Sequence, residues 1–210
     1  LAIHPKGLMA VEHYLVVRSL MYRSVYNHRL NVVCNWLLDQ LIRQARLLGP
    51  GRIWADQTMQ AWLWQTQELD LHSYLANDDL RTGYHFQRWR EEAPEPLADL
   101  CDRFLNRRLF KALDVSQMDA STQLELLAKA QTYAAAAGLD PEMCCGLRHH
   151  QIRGYHPYRG GLRLWDGQSL QALEQCSPLV NSLAIPAASA WLIHPGAITT
   201  ELHVAMASIR

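Results

Sequence analysis

The sequence predicts a mainly α-helical protein with a small C-terminal α+β segment. Apolar residues recur at helical spacing through most of the first 140 residues. Helix-stopping glycine and proline residues punctuate that stretch, at Gly49-Pro50-Gly51 and at Gly138. Beyond Pro141 the pattern changes to short apolar runs around turns. We therefore place a helical body at residues 1–140 and a small α+β subdomain at residues 141–210.

Five or so helices are expected in the helical body. The segment from about Leu8 to Leu48 has the clearest periodicity and predicts one long helix or two in line. The later helices each follow a cap or a proline. They are expected at 56–69, from Asn77 or Asp78 to about Glu92, from Pro94 and Pro96 to about Leu113, and over Ser121–Ala137 before Gly138.

Short strands are expected in the C-terminal segment. Ile152 to Tyr155 and Gly161 to Trp165 are bounded by turn residues such as Asp166-Gly167. Ala190 to His194 could add a strand. Residues 199–210 are compatible with a strand, a helix or a tail.

Composition excludes several classes of protein. Twenty basic residues balance twenty acidic ones, so no global field draws the chain to nucleic acid or to a membrane surface. The five cysteines are odd in number and show no CxxC spacing, which indicates neither a disulfide framework nor a zinc site. No apolar run reaches the length of a membrane span. We expect a cytoplasmic protein with no membrane partner.

One stripe of polar side chains stands out near the N-terminus. If residues 8–29 form a continuous α-helix, Arg18, Tyr22, Tyr26 and Arg29 lie within about 80° of one another on one face. Such a face is either solvated or the wall of a polar pocket. Guanidinium groups grip phosphate oxygens, and tyrosines stack on or hydrogen-bond a sugar or base.

The same run resembles the helix after the HD domain in HD-superfamily metal-dependent phosphohydrolases, including the dNTP triphosphohydrolases. The similarity lies in the order of an acidic residue, an arginine and then Tyr-x-His-basic, here Glu12, Arg18 and Tyr26-Asn27-His28-Arg29. Two later blocks follow the order of elements in that family: Asp78-Asp79, Trp89 and Arg107-Arg108-Leu109-Phe110-Lys111, and then Tyr155-His156-Pro157-Tyr158 leading to Asp166-Gly167.

The resemblance implies an HD phosphohydrolase-like helical body and a nucleotide substrate. It assigns phosphate binding to Arg18 and a sugar contact to Tyr26, with weaker expectations for Tyr22, Arg23 and Arg29. It further implies a divalent metal in the complete enzyme and assembly into a homo-oligomer.

The metal-binding motif of the family is not found in this sequence. None of the ten histidines is followed by aspartate. We therefore expect the chain to be the portion downstream of that motif, separated from an N-terminal HD segment, with no catalytic residue and no metal ligand of its own. The alternative is a non-catalytic helical module that binds a nucleotide or a protein.

Two other groups of residues have simpler interpretations. Asp78-Asp79 opens a helix, where acidic residues cap the chain and complement its dipole. His149-His150 and His156 have no carboxylate or cysteine at ligand spacing, so a surface loop is expected there.

The first prediction concerns activity. The purified chain with Mn²⁺ or Mg²⁺ should release no phosphate or triphosphate from dNTPs, because the ligands that acidify a metal-bound water are not in it. A phosphate-release assay checks this, and metal-dependent release by the chain alone would contradict the fragment interpretation.

Overall fold

The computed structural model describes residues 2–66, 68–152, 154–156 and 161–209, and it confirms the predicted class of a mainly α protein with a small α+β part. The α-helices in chain order are α1 Leu8–Met21, α2 Arg29–Leu48, α3 Gln57–Trp64, α4 Leu71–Leu75, α5 Asp79–Glu92, α6 Leu97–Leu105, α7 Ala120–Ala136, α8 Pro141–Cys144, α9 Leu173–Cys176, α10 Pro178–Ala184 and α11 Thr199–Ile209. The strands are β1 Ala2–Ile3, β2 Lys111–Asp114, β3 Gly146–Ile152, β4 Arg163–Trp165, β5 Leu170–Ala172 and β6 Ala187–His194. Within the described part of the chain, no helix combines the length and apolarity that a membrane crossing needs.

Aspartates cap many of the helices, because a carboxylate accepts the backbone N–H groups that the first turn leaves unpaired. Asp78 accepts from the Arg81 amide at 2.8 Å, which confirms the capping interpretation of Asp78-Asp79. The side chains of Asp56, Asp70, Asp119 and Asp140 cap α3, α4, α7 and α8 in the same way.

The segment from Leu8 to Leu48 forms two α-helices, which is one of the two predicted forms, so residues 8–29 are not a continuous α-helix. After α1, residues Tyr22–Tyr26 form a π-helical turn, and α2 begins only at Arg29. Side chains bond to backbone carbonyl groups at the break. The side-chain amide of Asn27 donates to the Tyr22 carbonyl at 3.0 Å, and the side-chain amide of Asn31 donates to the Val25 carbonyl at 2.6 Å.

Some boundaries differ from the sequence prediction. The helix expected over residues 56–69 ends at Trp64. The helix expected to reach Leu113 ends at Leu105, because Arg107 takes a left-handed conformation and the chain then enters β2. His149 and His150 lie in β3 rather than in a surface loop, because strand pairing overrides their weak local preference. Residues 199–209 form a helix.

Two three-stranded sheets are present in the described residues. The first has the order β2-β6-β3 with antiparallel pairing throughout, and its central strand β6 buries Leu192 and Ile193. The second has the order β1-β4-β5, in which β1 runs parallel to β4. Arg153 and residues 157–160, which the sequence analysis placed near these strands, lie outside the described residues.

The main hydrophobic core crosses the division expected at residue 140. It combines Leu37 of α2, Trp89 of α5 and Leu126 of α7 with Ile193 of β6 and Leu202 of α11, all of them buried. Burying each such side chain stabilises the fold by roughly 1.5–3 kcal/mol. The two segments therefore share one core and one sheet.

A second, smaller core lies under α1. Leu15 packs there with Tyr155, Leu173 and Val180 from the C-terminal segment. The break between α1 and α2 thus separates a helix that packs on the small core from a helix that packs on the main one.

The fold predicts an intolerant glycine at the start of β3. A β-carbon on Gly146 would lie 2.0 Å from the Trp36 ring, so Gly146→Ala should lower the free energy of unfolding by about 1–3 kcal/mol. Gly83→Ala in α5 is the matched control: its β-carbon meets no described atom within 4 Å, and it should raise the free energy of unfolding by about 0.5–1 kcal/mol. Urea unfolding measures both changes, and equal effects would contradict the assigned packing.

Candidate functional site

Arg18 of α1 is half-buried and faces the C-terminal segment. Its Nη1 donates to the Gly154 carbonyl at 3.4 Å, and its Nη2 donates to the Tyr22 hydroxyl at 3.5 Å. The guanidinium carbon also lies 4.8 Å from the centroid of the Tyr22 ring. The side chain is therefore held by a distant backbone carbonyl and by a neighbour one helical turn away.

Close packing brings Gly154 to Arg18. A β-carbon on Gly154 would come within 2.8 Å of the Ser19 hydroxyl and 2.9 Å of Leu183. Only glycine allows this approach of the loop to α1. Next to it, the Tyr155 amide donates to the Leu183 carbonyl at 3.1 Å, which ties the loop to α10.

Arg18 has no carboxylate partner within the described residues, unlike several other arginines of the chain. Arg81, Arg88, Arg103 and Arg108 each pair with a carboxylate. Within the described part of the chain, Arg18 contacts a carbonyl and a phenol at long distances. Its positive charge is not neutralised by these contacts, and most of the five donors of its planar fork stay available to an anion.

Tyr22 and Tyr26 extend the site along the π-helical turn. Their ring centroids lie 5.0 Å apart with a tilt of 48°. Tyr26 is 55% exposed, so Arg18 and Tyr26 are not both buried in the hydrophobic core. We call Arg18, Tyr22 and Tyr26 the Arg18 cluster. It offers one cation and two phenols on an accessible surface. Arg23, in the same turn, is exposed.

Arg29 does not belong to this cluster. The sequence prediction placed it on the same stripe, but the helix breaks before it and Arg29 becomes the first residue of α2. Its side chain lines a different cleft. The correction follows from the π-helical turn and the Asn27-His28 junction, which change the direction in which later side chains point.

That second cleft, which we call the cationic cleft, has a volume of about 470 Å³ and lies between α2, β2, the end of β6 and α11. None of the described residues that line it is acidic. The basic residues in its lining come from five places in the chain, and they are Arg29, Arg107, Lys111, His194 and His203. In the sequence, Arg107 and Lys111 stand out only as part of a family resemblance, and neither histidine is predicted to be functional, because nothing local links residues so far apart.

Arg107 adopts an unusual backbone conformation beside this cleft. Its φ of 55° lies in the left-handed region. The Arg107 amide donates to the Phe104 carbonyl at 3.4 Å and the Arg108 amide donates to the Arg103 carbonyl at 2.9 Å, a pattern that ends helices and usually places glycine at the left-handed position. An arginine there costs roughly 1–2 kcal/mol. Arg107 therefore occupies a position at which a glycine would make the folded protein more stable.

His194 is buried at the base of the cationic cleft. Burial lowers the pKa of His194; its hydrogen bond with the Pro195 carbonyl at 3.0 Å opposes this effect, while the nearby His203 and Lys111 add to it. The imidazole is therefore neutral near pH 7, with its second nitrogen able to accept a proton. An anion bound in the cleft would favour protonation of His194.

Of the neighbouring histidines His149 and His150, His149 has a polar side-chain partner. The His149 imidazole lies 2.7 Å from the side-chain oxygen of Gln123. Within residues 2–66, 68–152, 154–156 and 161–209, no group of three or more histidine, cysteine, aspartate or glutamate side chains is placed to hold a metal ion.

The fold is similar to those of two solved structures. It matches the structure of a phosphohydrolase from Bacteroides thetaiotaomicron with a TM-score of 0.72 and 16% identity, over 92% of this chain and 51% of that one. It also matches a hypothetical protein from Aquifex aeolicus with a TM-score of 0.62 and 16% identity, over 96% of this chain and 46% of that one.

The sequence is also similar to that of a bacterial relative. The uncharacterised protein YwfO of Bacillus subtilis is 29% identical over 165 residues, which are 77% of this chain and 37% of YwfO. No protein-family model matches the sequence. The chain thus spans about half the length, or less, of the proteins it matches.

The cationic cleft yields a prediction about Arg107. Arg107→Gly should raise the free energy of unfolding by about 1 kcal/mol, because glycine relieves the left-handed strain. Arg107→Ala keeps a β-carbon and should give no such gain. Both variants remove the guanidinium, so both should reduce the increase in Tm that inorganic tripolyphosphate causes in the unmodified chain. Thermal melts with and without tripolyphosphate measure both effects; a full response in the two variants would contradict anion binding through Arg107.

Proposed function

We propose that this chain supplies phosphate and sugar contacts to a metal-dependent phosphohydrolase that acts on nucleotides, of the dNTP triphosphohydrolase type. Arg18 would bind the polyphosphate and Tyr26 would pack against the sugar, with Tyr22 between them. The phosphohydrolase-like fold and the resemblance of residues 6–29 to HD-superfamily enzymes support this proposal.

The position of Arg18 is the observation that carries the proposal. The guanidinium of Arg18 is half-buried and has no carboxylate partner in the described residues, so a charge partly removed from water lacks a compensating charge. A phosphate group would provide it. The planar fork of arginine matches two phosphate oxygens at once, and the resulting charge-assisted hydrogen bonds are about twice as strong as neutral ones.

The two tyrosines fit the neighbouring part of a nucleotide. Their rings form an apolar wall beside the guanidinium, and each carries a hydroxyl at its edge. A sugar packed against Tyr26 would have its 2′ position close to the ring, where an additional hydroxyl would have to be accommodated. Preference for deoxyribose would follow from that contact.

The metal of the proposed reaction does not fit a ligand set in the described residues. A divalent metal in such enzymes acidifies water and neutralises phosphoryl charge. Its ligands would have to come from outside the described part of this chain, so the role proposed for this chain is to bind and orient the substrate. Cytoplasmic location and homo-oligomerisation stay predictions.

The cationic cleft favours a second role, the non-catalytic binding of a polyphosphate. Its basic side chains converge from distant segments, and the strained Arg107 is among them. Strain retained at a ligand-facing residue is a pointer to function rather than to stability. In this second role, Arg29 would bind the polyphosphate in the cationic cleft and would not contribute to the Arg18 cluster.

The test of the proposed function is Arg18→Ala in the complete, metal-replete protein that carries this chain. Removing the guanidinium should lower kcat/KM for dNTPs by about 30- to 1000-fold, which corresponds to roughly 2–4 kcal/mol of transition-state stabilisation. Arg52→Ala, an exposed arginine in a turn, is the control and should leave kcat/KM within about twofold, as is usual for surface substitutions.

Two outcomes would count against it. If Arg18→Ala keeps a near-normal kcat/KM for every nucleotide tested, the role proposed for Arg18 is wrong. Nucleotide binding without any metal-dependent turnover of the complete protein would favour the alternative, a non-catalytic binding module.

A further inference from the structure

Two adjacent cysteines bring their thiols together at the start of β3. Cys144 ends α8, and Cys145 lies between that helix and Gly146, the first residue of the strand. The two sulfur atoms are 3.8 Å apart, within hydrogen-bonding distance for thiols. Both side chains are buried in the main core, each with 3% of its surface exposed. Neither belongs to the Arg18 cluster or lines the cationic cleft.

The contact makes the two thiols chemically unequal. The thiol of Cys145 donates a hydrogen bond to the sulfur of Cys144, which lowers the pKa of Cys144 against the opposing effects of burial and of Asp140. The same hydrogen bond, together with burial, raises the pKa of Cys145. Because the thiolate is the nucleophilic form of cysteine, Cys144 is the more reactive of the two. Cys145 keeps its proton beside it.

A cysteine elsewhere in the same core shows what burial does without such a neighbour. Cys101 of α6 is fully buried, and burial raises the pKa of its thiol to about 12. The lowered pKa of Cys144 therefore comes from Cys145 and not from the surrounding core. A buried cysteine of the first kind is inert, whereas a thiolate beside a second thiol can be oxidised and then resolved as a disulfide.

A small oxidant can reach the pair through local opening of α8. This helix has four residues, and the amides of Cys144 and Cys145 close its last turn. Its other residues are at least partly exposed. An exposed ion pair at 3.9 Å links Glu142 of α8 to Arg43 of α2, and such pairs contribute little stability. Short elements whose hydrogen bonds lie near the surface open at low free energy.

The pair does not complete a metal site with the residues around it. Structural zinc takes four protein ligands. Among the residues that the structure describes, no third histidine, cysteine, aspartate or glutamate joins these two thiols in a group that could hold a metal ion. Oxidation needs no further ligand, since one thiol attacks the oxidant and the other resolves the product.

We propose that Cys144 and Cys145 form a reversible oxidation site, which a hydroperoxide converts to a disulfide between neighbouring residues. The Cys144 thiolate attacks one peroxide oxygen, the O–O bond breaks, and a sulfenic acid forms as hydroxide or alkoxide leaves. The sulfur of Cys145 then attacks the sulfenic sulfur. The S–S bond forms, and the sulfenic oxygen leaves as water with the proton of Cys145. Two thiols are oxidised for each hydroperoxide reduced.

The bridge strains the chain where β3 begins. A disulfide needs a sulfur separation of about 2.05 Å, so the two sulfur atoms must approach each other by about 1.8 Å. Neighbouring α-carbons are about 3.8 Å apart, closer than the roughly 4.4 Å at which ordinary disulfides begin. Gly146 cannot move freely, because a β-carbon there would already lie 2.0 Å from the Trp36 ring. Oxidation should therefore destabilise the fold, and a thiol reductant should reverse it.

The experiment treats the folded chain with hydrogen peroxide and then unfolds it in iodoacetamide, which alkylates the remaining thiols. Trypsin releases residues 130–148, which contain both cysteines, and residues 91–103, which contain Cys101. The first peptide should lose two hydrogen atoms and take up no iodoacetamide, and dithiothreitol should restore both alkylation sites. The second peptide is the internal control and should stay fully alkylated.

Four results would overturn the proposal. The first is full alkylation of Cys144 and Cys145 after peroxide treatment. The second is oxidation that ends at a sulfinic or sulfonic acid. The third is a disulfide that joins two chains. The fourth is an equal loss of alkylation at Cys101, because it would mean that the peroxide reacts with unfolded chains.

Serine variants test the separate roles of the two thiols. Cys145→Ser removes the resolving thiol but keeps a hydroxyl that can donate to Cys144, so peroxide should leave a sulfenic acid that dimedone traps. Cys144→Ser should give about tenfold less dimedone adduct, because Cys145 keeps its proton. Cys176→Ser, at a partly exposed cysteine, is the matched control and should form the disulfide normally. Equal dimedone labelling of Cys144→Ser and Cys145→Ser would show that the assigned roles are wrong.

Thermal melts test the strain at the start of β3. The oxidised chain should melt about 5 °C below the reduced chain, and dithiothreitol should restore the original Tm. An oxidised chain with an unchanged or higher Tm would contradict the strain.

Discussion

The interruption between α1 and α2 is the constraint on which the rest of the structure depends. Helix α1 packs on the small core and helix α2 packs on the main core, and the interruption lies between them. The π-helical turn at Tyr22–Tyr26 and the side-chain amides of Asn27 and Asn31 allow the chain to turn while its backbone polar groups stay paired. π-helical turns occur mostly inside α-helices, and they are frequent at functional sites.

That turn also separates two positively charged sites. Arg18 precedes it and is held beside the loop that contains Gly154, whereas Arg29 follows it and lines the cationic cleft. Two arginines eleven positions apart in the sequence thus contribute to two different surfaces. One surface combines a single cation with aromatic rings, and the other concentrates basic side chains around a buried, neutral His194. The first suits a nucleotide with its sugar, and the second suits a polyphosphate.

At one of these two surfaces the backbone conformation is set by close packing, and at the other it is locally unfavourable. Gly154 is required for close approach, so the loop that supports Arg18 is set by packing. Arg107 is the opposite case, since its left-handed conformation is unfavourable for any residue with a β-carbon and is tolerated within a helix-ending pattern. The large core that joins α2, α5, α7 and β6 supplies the stability that tolerates such local strain.

The sequence by itself determined the elements whose signals are local. The Asp78 cap, the stop of α7 at Gly138 and the strand around Ala190 follow from capping, backbone freedom and apolar pattern. Two features were decided only by the tertiary structure. Strand β2 forms because β6 offers it a hydrogen-bonding edge, and the cationic cleft is assembled from distant segments. The stripe from Arg18 to Arg29 contains both a feature that the sequence determined and one that only the tertiary structure decided. Its spacing was right for Arg18, Tyr22 and Tyr26 and wrong for Arg29, because a helix break that depends on packing cannot be read from periodicity.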